Sequence, residues 1–168
     1  KYDGEEYTVS GYEIAADNSL YETSNVQFNG AKDSATGKNA GSYTTKLNAA
    51  EFVNTNENFA NVTFVIQNDI VLTVQKRTVT LTSATASKVY DGTPLTNSEI
   101  TVGGDGFANG EGATYEVTGT QTIAGTSDNT FNYILNAGTN ADNYEISKHE
   151  GKLIVTATKD EVVVTITE

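Results

Sequence analysis

A single histidine, His149, stands in the chain, within Lys148-His149-Glu150-Gly151. It could serve as base to a serine nucleophile, but no Gly-x-Ser-x-Gly elbow accompanies it, and the run reads as a solvated hairpin turn. Paired carboxylates do acid–base work only when both face one substrate. Glu5-Glu6 and Asp160-Glu161 are adjacent, so on strands they point to opposite faces. The glycines at 103, 104, 106, 110 and 112 lack the spacing that cradles a phosphate, and no P-loop lysine follows them. Oxygen ligands for calcium are available at Asn140, Asp142 and Asn143, and at Asp17 and Asn18, yet no Asp-x-Asp-x-Asp-Gly loop holds them. Such residues in β loops serve Asx turns. With no cysteine, neither disulfides nor thiolate metal sites enter. The expectation is a protein with no catalytic residue, no metal site and no cofactor.

The elements around these residues occur twice. Lys1-Tyr2-Asp3-Gly4 returns as Lys88-Val89-Tyr90-Asp91-Gly92, and Asn58-Phe59 as Asn143-Tyr144. Leu72-Thr73-Val74 returns as Leu153-Ile154-Val155, and Val79-Thr80-Leu81-Thr82 as Val164-Thr165-Ile166-Thr167. The period is about 84 residues, half the chain, and a fixed period is the signature of an array of copied units. Three parts follow: residues 1–76 as a first module, 77–160 as a second, and 161–168 as the opening strand of a following one.

Period-two alternation makes the chain mainly β. Tyr43 to Leu47, Val62 to Ile66, Tyr115 to Thr118 and Phe131 to Leu135 read as strands, and Ile70 to Thr82 as one long extended stretch crossing the module boundary. The buried faces should hold Tyr43, Leu47, Phe64, Ile66 and Leu72 in the first module, and Phe131, Tyr133, Leu135, Ile146 and Leu153 in the second. Asn29-Gly30, Asp91-Gly92, Asp105-Gly106 and Asn109-Gly110 supply turn residues that accept positive φ. Helix is confined to a short turn at Ala49 to Phe52 and a weak capping pattern at Thr96 to Glu99. The fold expected is two tandem small β domains, sandwich-like or grasp-like, in an elongated array. Ten basic against 22 acidic residues give a net charge of −12, which repels phosphate backbones and anionic membrane surfaces. No apolar run approaches the ~18 residues of a membrane span.

In the Tyr-Asp-Gly motif, Gly4 and Gly92 suit a positive-φ turn position. Asp3 and Asp91 suit bonds to the turn backbone, and Tyr2 and Tyr90 suit burial of a ring with a bonded hydroxyl. The competing reading makes each tyrosine an exposed anchor for sugar or peptide.

Thr93-Pro94-Leu95 after the motif, Gly104 to Phe107, and Asn140 to Tyr144 together resemble the YDG/MBG-type repeats found in tandem in large bacterial surface proteins and adhesins. The second copy carries the likeness best. The first has Glu5-Glu6-Tyr7 after its Asp-Gly and no Gly-Asp-Gly-Phe. The resemblance implies an extracellular, cell-wall or outer-surface repeat without chemistry of its own, and it carries over no catalytic or ligand-binding residue. Surface β domains also can hold a Lys–Asn isopeptide bond, for which Lys1 and Lys88 are the candidates.

Two functions fit. One is a stalk or spacer in adhesion, whose partners are neighbouring repeat modules. The other is a weak, multivalent binding module for host glycan or protein. The copies also differ in phase. A strand precedes Tyr90 but only Lys1 precedes Tyr2, so the chain reads as a piece of a larger protein, with the first module lacking its opening strand. Val162 to Thr167 would then fill that slot in a neighbouring molecule by head-to-tail strand exchange.

Overall fold

The computed structural model describes residues 1–168. Regular structure is almost all strand, as the period-two patterning requires. The only helical pieces are single 3-10 turns at Thr23–Asn25, Ala49–Glu51 and Ala141–Asn143. No helix is long and apolar enough to cross a membrane. Contacts divide the chain into two compact units, Lys1–Lys76 and Arg77–Glu168.

The second unit holds eight strands: β7 (Arg77–Ser83), β8 (Ala86–Val89), β9 (Ile100–Gly104), β10 (Ala113–Val117), β11 (Gly125–Asp128), β12 (Phe131–Leu135), β13 (Tyr144–His149) and β14 (Lys152–Thr156). β7 is central in the sheet β13-β7-β9, and β14 is central in β11-β14-β8, while β10 pairs with β12. Both central strands alternate strictly. Val79 and Leu81 of β7 are fully buried, as are Leu153 and Val155 of β14, with Phe131 beside them in the core. β7 runs parallel to β13, and β8 runs parallel to β14. Parallel partners need long crossovers, so the first two strands of the unit are bonded to its last two across the intervening chain.

The first unit contains β1 (Tyr7–Ser10), β2 (Val26–Phe28), β3 (Ser34–Gly37), β4 (Gly41–Thr45), β5 (Phe52–Asn54) and β6 (Ile70–Val74). They form three antiparallel pairs, β1-β3, β2-β5 and β4-β6. An aromatic cluster replaces the aliphatic core of the second unit. Phe52 meets Tyr12 at 5.2 Å between ring centroids, Phe28 at 5.1 Å and Phe64 at 5.9 Å. Asn48 caps the 3-10 turn before β5 as a full capping box with Glu51.

All ten residues expected in the core lie on the inward face, but depth separates them. Phe131 and Leu153 are fully buried and the other eight half-buried.

Four local expectations differ from the structure. Residues 62–66 form no strand, although Val62, Phe64 and Ile66 still alternate inward with Thr63 and Val65 outward. A strand exists only where a neighbour completes its ladder. In the second unit β7 completes β13, and no element of the first unit corresponds to β7. The stretch Ile70 to Thr82 is broken at Gln75-Lys76, between β6 and β7. Gly30 lacks positive φ; an added Cβ there would lie 2.2 Å from Phe28 Cζ, so the ring above requires the glycine. Finally, Lys148 to Gly151 is no hairpin turn, because β13 and β14 belong to different sheets. His149 ends β13 and is exposed.

Candidate functional site

Each Tyr-Asp-Gly segment is fastened to the last strand of its own unit. Tyr2 N–H donates to Gln75 O at 2.8 Å, just past β6. Tyr90 N–H donates to Thr156 O at 2.7 Å, at the end of β14. The turns match too. Asp3 Oδ1 accepts the Glu5 amide at 3.0 Å and Asp91 Oδ1 the Thr93 amide at 2.9 Å, two Asx turns. Gly4 (φ 91°) and Gly92 (φ 78°) follow in the left-handed region, where glycine alone carries no Cβ penalty.

The side chains around the two turns differ. Tyr7 donates its hydroxyl to Asp3, and that bond raises the Tyr7 phenol above its ordinary value. Asp91 instead accepts Lys88 Nζ at 2.7 Å and the Thr93 hydroxyl at 2.8 Å, while Lys88 Nζ also donates to Thr93 O at 2.6 Å. The Lys88 ammonium is thus held inside the turn. The rings part company as well: Tyr2 is 3% exposed, whereas Tyr90 is 43% exposed. The ring burial expected at both positions is therefore corrected for Tyr90. It lines an apolar recess of about 270 Å³ with Ile123, Ala124 and Ala157, residues that leave its ring open to solvent.

The hydrogen bond from Lys88, and then those from Thr93, hold the Asp91 carboxyl far below the usual carboxylate range. A depressed folded value means that the ionised turn stabilises the unit above the unfolded value. That contribution is lost only as pH falls below it. In a carboxyl-carbon NMR titration Asp91 should titrate well below an ordinary aspartate, and Lys88→Met should raise it while the Thr93 bonds still hold it partly down. An ordinary midpoint in the wild-type chain would show that the Lys88–Asp91–Thr93 cluster is not formed. The group is solvent-exposed, so the effect on global stability is small.

The other two motif segments meet each other in the second unit. Gly104 (φ 74°) and Gly106 (φ 71°) fold the Gly-Asp-Gly-Phe loop back on the start of β7. There Asp105 Oδ2 accepts Thr78 N–H at 3.0 Å and the Thr78 hydroxyl at 2.8 Å. Arg77 clasps the same loop, donating to Gly106 O at 2.9 Å and Asp105 O at 2.7 Å. Phe107 then stacks edge-on against Tyr144 at 5.2 Å, and the Tyr144 hydroxyl donates to Glu111 at 2.7 Å.

Asn129, unnoticed in the sequence, is the polar centre of the second unit and is fully buried. Its Nδ2 donates to Ala84 O and Asn97 O, both at 2.9 Å, and its backbone carbonyl accepts from Ser83 Oγ at 2.6 Å. Oδ1 has no hydrogen-bond partner and lies where a Cβ on Gly119 would be, 2.4 Å away.

Of the calcium-ligand candidates, Asn18 Oδ1 accepts the Leu20 amide and Asn140 Oδ1 the Asp142 amide, both as turn bonds. No three His, Cys, Asp or Glu side chains gather in a metal-binding group. Glu5, Glu6, Asp160 and Glu161 are all exposed.

Compared with known proteins, the chain matches no family model, no curated protein and no solved structure. The arrangement itself therefore has to carry the functional reading. Its distinctive residues fasten strands and loops to one another.

Proposed function

We propose that the chain comprises two non-catalytic repeat modules of an extracellular bacterial surface protein, acting as a stalk or spacer in adhesion. One observation carries this reading. In the second unit the leading strands β7 and β8 run parallel to, and are bonded with, the trailing strands β13 and β14. Tension on the two ends of such a unit runs along the paired strands and across their hydrogen bonds. Many bonds must then break together, as a load-bearing link requires. The Tyr-Asp-Gly segments, tied to the last strand in both units, continue the same fastening.

A second reading rests on Tyr90. Its ring is open beside Ile123, which is 71% exposed, and could lie against a sugar or a peptide. The array would then supply avidity to a weak host contact. Immobilised glycans and extracellular-matrix proteins, probed with the full chain and with Tyr90→Ala, separate the two. The spacer reading expects no saturable binding from either protein. Saturable binding that Tyr90→Ala abolishes would replace the spacer with the binding module.

A further inference from the structure

We propose that Asn109 is a self-modifying site: it closes a succinimide on the Gly110 amide nitrogen, opens to isoaspartate, and so releases the turn that grips the buried Tyr144 hydroxyl. The inference does not depend on the spacer role.

An Asx-Gly pair can react with itself, because glycine puts no side chain in the way of its own nitrogen. The side-chain carbonyl carbon must swing back onto that nitrogen, so a side chain bonded elsewhere is kept from reacting. Five such pairs stand in the chain, and the fold treats them differently. Asp3 is tied to the Glu5 amide and the Tyr7 hydroxyl, and Asp91 to Lys88 and Thr93. Asp105 accepts both the amide and the hydroxyl of Thr78. The two asparagines remain, and a carboxamide is also a better electrophile than a carboxylate.

Asn29-Gly30 is packed. The Asn29 amide donates to Glu51 O at 2.8 Å, prolonging the β2–β5 ladder by one bond. A Cβ at Gly30 would fall 2.2 Å from the Phe28 ring and 2.9 Å from Glu51 Cδ. Asn109-Gly110 is open. Both residues are exposed, and nothing beyond the chain neighbours lies within 4 Å of where a Gly110 Cβ would stand. Neither the Asn109 carboxamide nor the Gly110 amide has a hydrogen-bond partner. Only here are both reacting groups free in open space.

In the reaction the Gly110 nitrogen bonds to Asn109 Cγ as the Cγ–Nδ2 bond breaks. Nδ2 takes the Gly110 amide proton and leaves as ammonia. Water then splits one of the two ring C–N bonds. Opening at Cγ gives aspartate with the ordinary backbone. Opening at the main-chain carbonyl gives isoaspartate, whose backbone runs through Cβ and Cγ and is one atom longer.

That extra atom enters a turn built to length. Glu111 N–H donates to Ala108 O across it at 3.0 Å. Its two ends hold one hydroxyl: Ala108 N–H donates to Tyr144 Oη at 3.0 Å, and Tyr144 donates to Glu111 Oε2 at 2.7 Å. Tyr144 is buried and opens β13. The lengthened turn cannot keep both bonds, and its new carboxylate stands two positions from that of Glu111.

The full chain, treated with hydroxylamine while folded at mildly alkaline pH, reports each succinimide as a cut after its asparagine. Cleavage between residues 109 and 110 should exceed that between 29 and 30 by about tenfold or more. In denaturing urea the two cuts should become comparable, because the protection of Asn29 is structural. Equal cutting in the folded chain, or cutting led by Asn29, would overturn the site. Chain incubated without hydroxylamine, and separated by charge, should carry isoaspartate at 109. Its Ala108 amide should exchange hydrogen about tenfold faster than in fresh protein. Freshly prepared Asn109→Asp, with the same charge and an ordinary backbone, should exchange at the wild-type rate. Unchanged Ala108 exchange in the isoaspartyl chain would overturn the release of Tyr144.

Discussion

Replacing Asn129 by alanine should cost the second unit about 3–5 kcal/mol, most or all of the stability of a small domain. Two half-buried carbonyls, those of Ala84 and Asn97, accept from the Asn129 carboxamide. Each carbonyl left unpaired costs about 1–3 kcal/mol, and the emptied volume adds to that. Asn129→Asp keeps the shape but removes the donors, so it should be at least as damaging. Asn132→Ala, on an exposed face three residues on, should stay within about 0.5 kcal/mol of wild type. Urea denaturation followed by the tyrosines reads all three. A loss below ~1 kcal/mol for Asn129→Ala would mean that the buried network contributes nothing that water cannot replace.

Adding one methyl at Gly151 should be nearly as severe. Its Cβ would stand 2.4 Å from Ser83 O and 2.5 Å from Ala84 O, both backbone atoms that cannot swing aside. Relief requires moving β14 away from the loop after β7. That breaks the bonds from Gly151 N–H to Ser83 Oγ and from Asn129 N–H to Gly151 O. We expect a loss above about 3 kcal/mol, at the upper end for an overpacked site. Gly110→Ala is the contrast. Its φ is 79° but the space around it is open, so only the backbone penalty of about 1–2 kcal/mol applies. Equal losses at the two positions would show that β14 is free to shift.

The contrast between these glycines also marks what could be read from the sequence. Asp91-Gly92, Asp105-Gly106 and Asn109-Gly110 announce their turns because the chemistry is local: a short polar side chain followed by a residue free at positive φ. Alternation likewise identifies the inward face of strands such as β10, β12 and β14, since side-chain direction follows from position alone. Depth does not. Leu153 and Leu72 occupy the same place in the two copies, yet one is fully buried and the other only half-buried, because different sheets close over them. Asn129 is illegible for the same reason. An asparagine after an aspartate looks like a loop residue until Ala84, Asn97 and Ser83 arrive from 32 to 46 positions away. The segment at 62–66 has every local mark of a strand and lacks only a neighbour, which no local pattern encodes. Tyr2 and Tyr90 share a motif and a backbone bond, but the exposure of their rings is set by what lies beyond the repeat.

Stretching single molecules by their two ends tests the central claim most directly. The load reaches the second unit at Arg77 and leaves it after Thr156, with β8 and β14 parallel and bonded between those points. Residues 77–156 should resist as one body and then yield in a single abrupt step, releasing roughly 280 Å of chain. Asn129→Ala, which loosens the core without touching the β8–β14 ladder, should lower the frequency of folded units more than the force of that step. A smooth extension at low force, with no abrupt release of that length, would contradict the proposal that these modules bear load as a spacer.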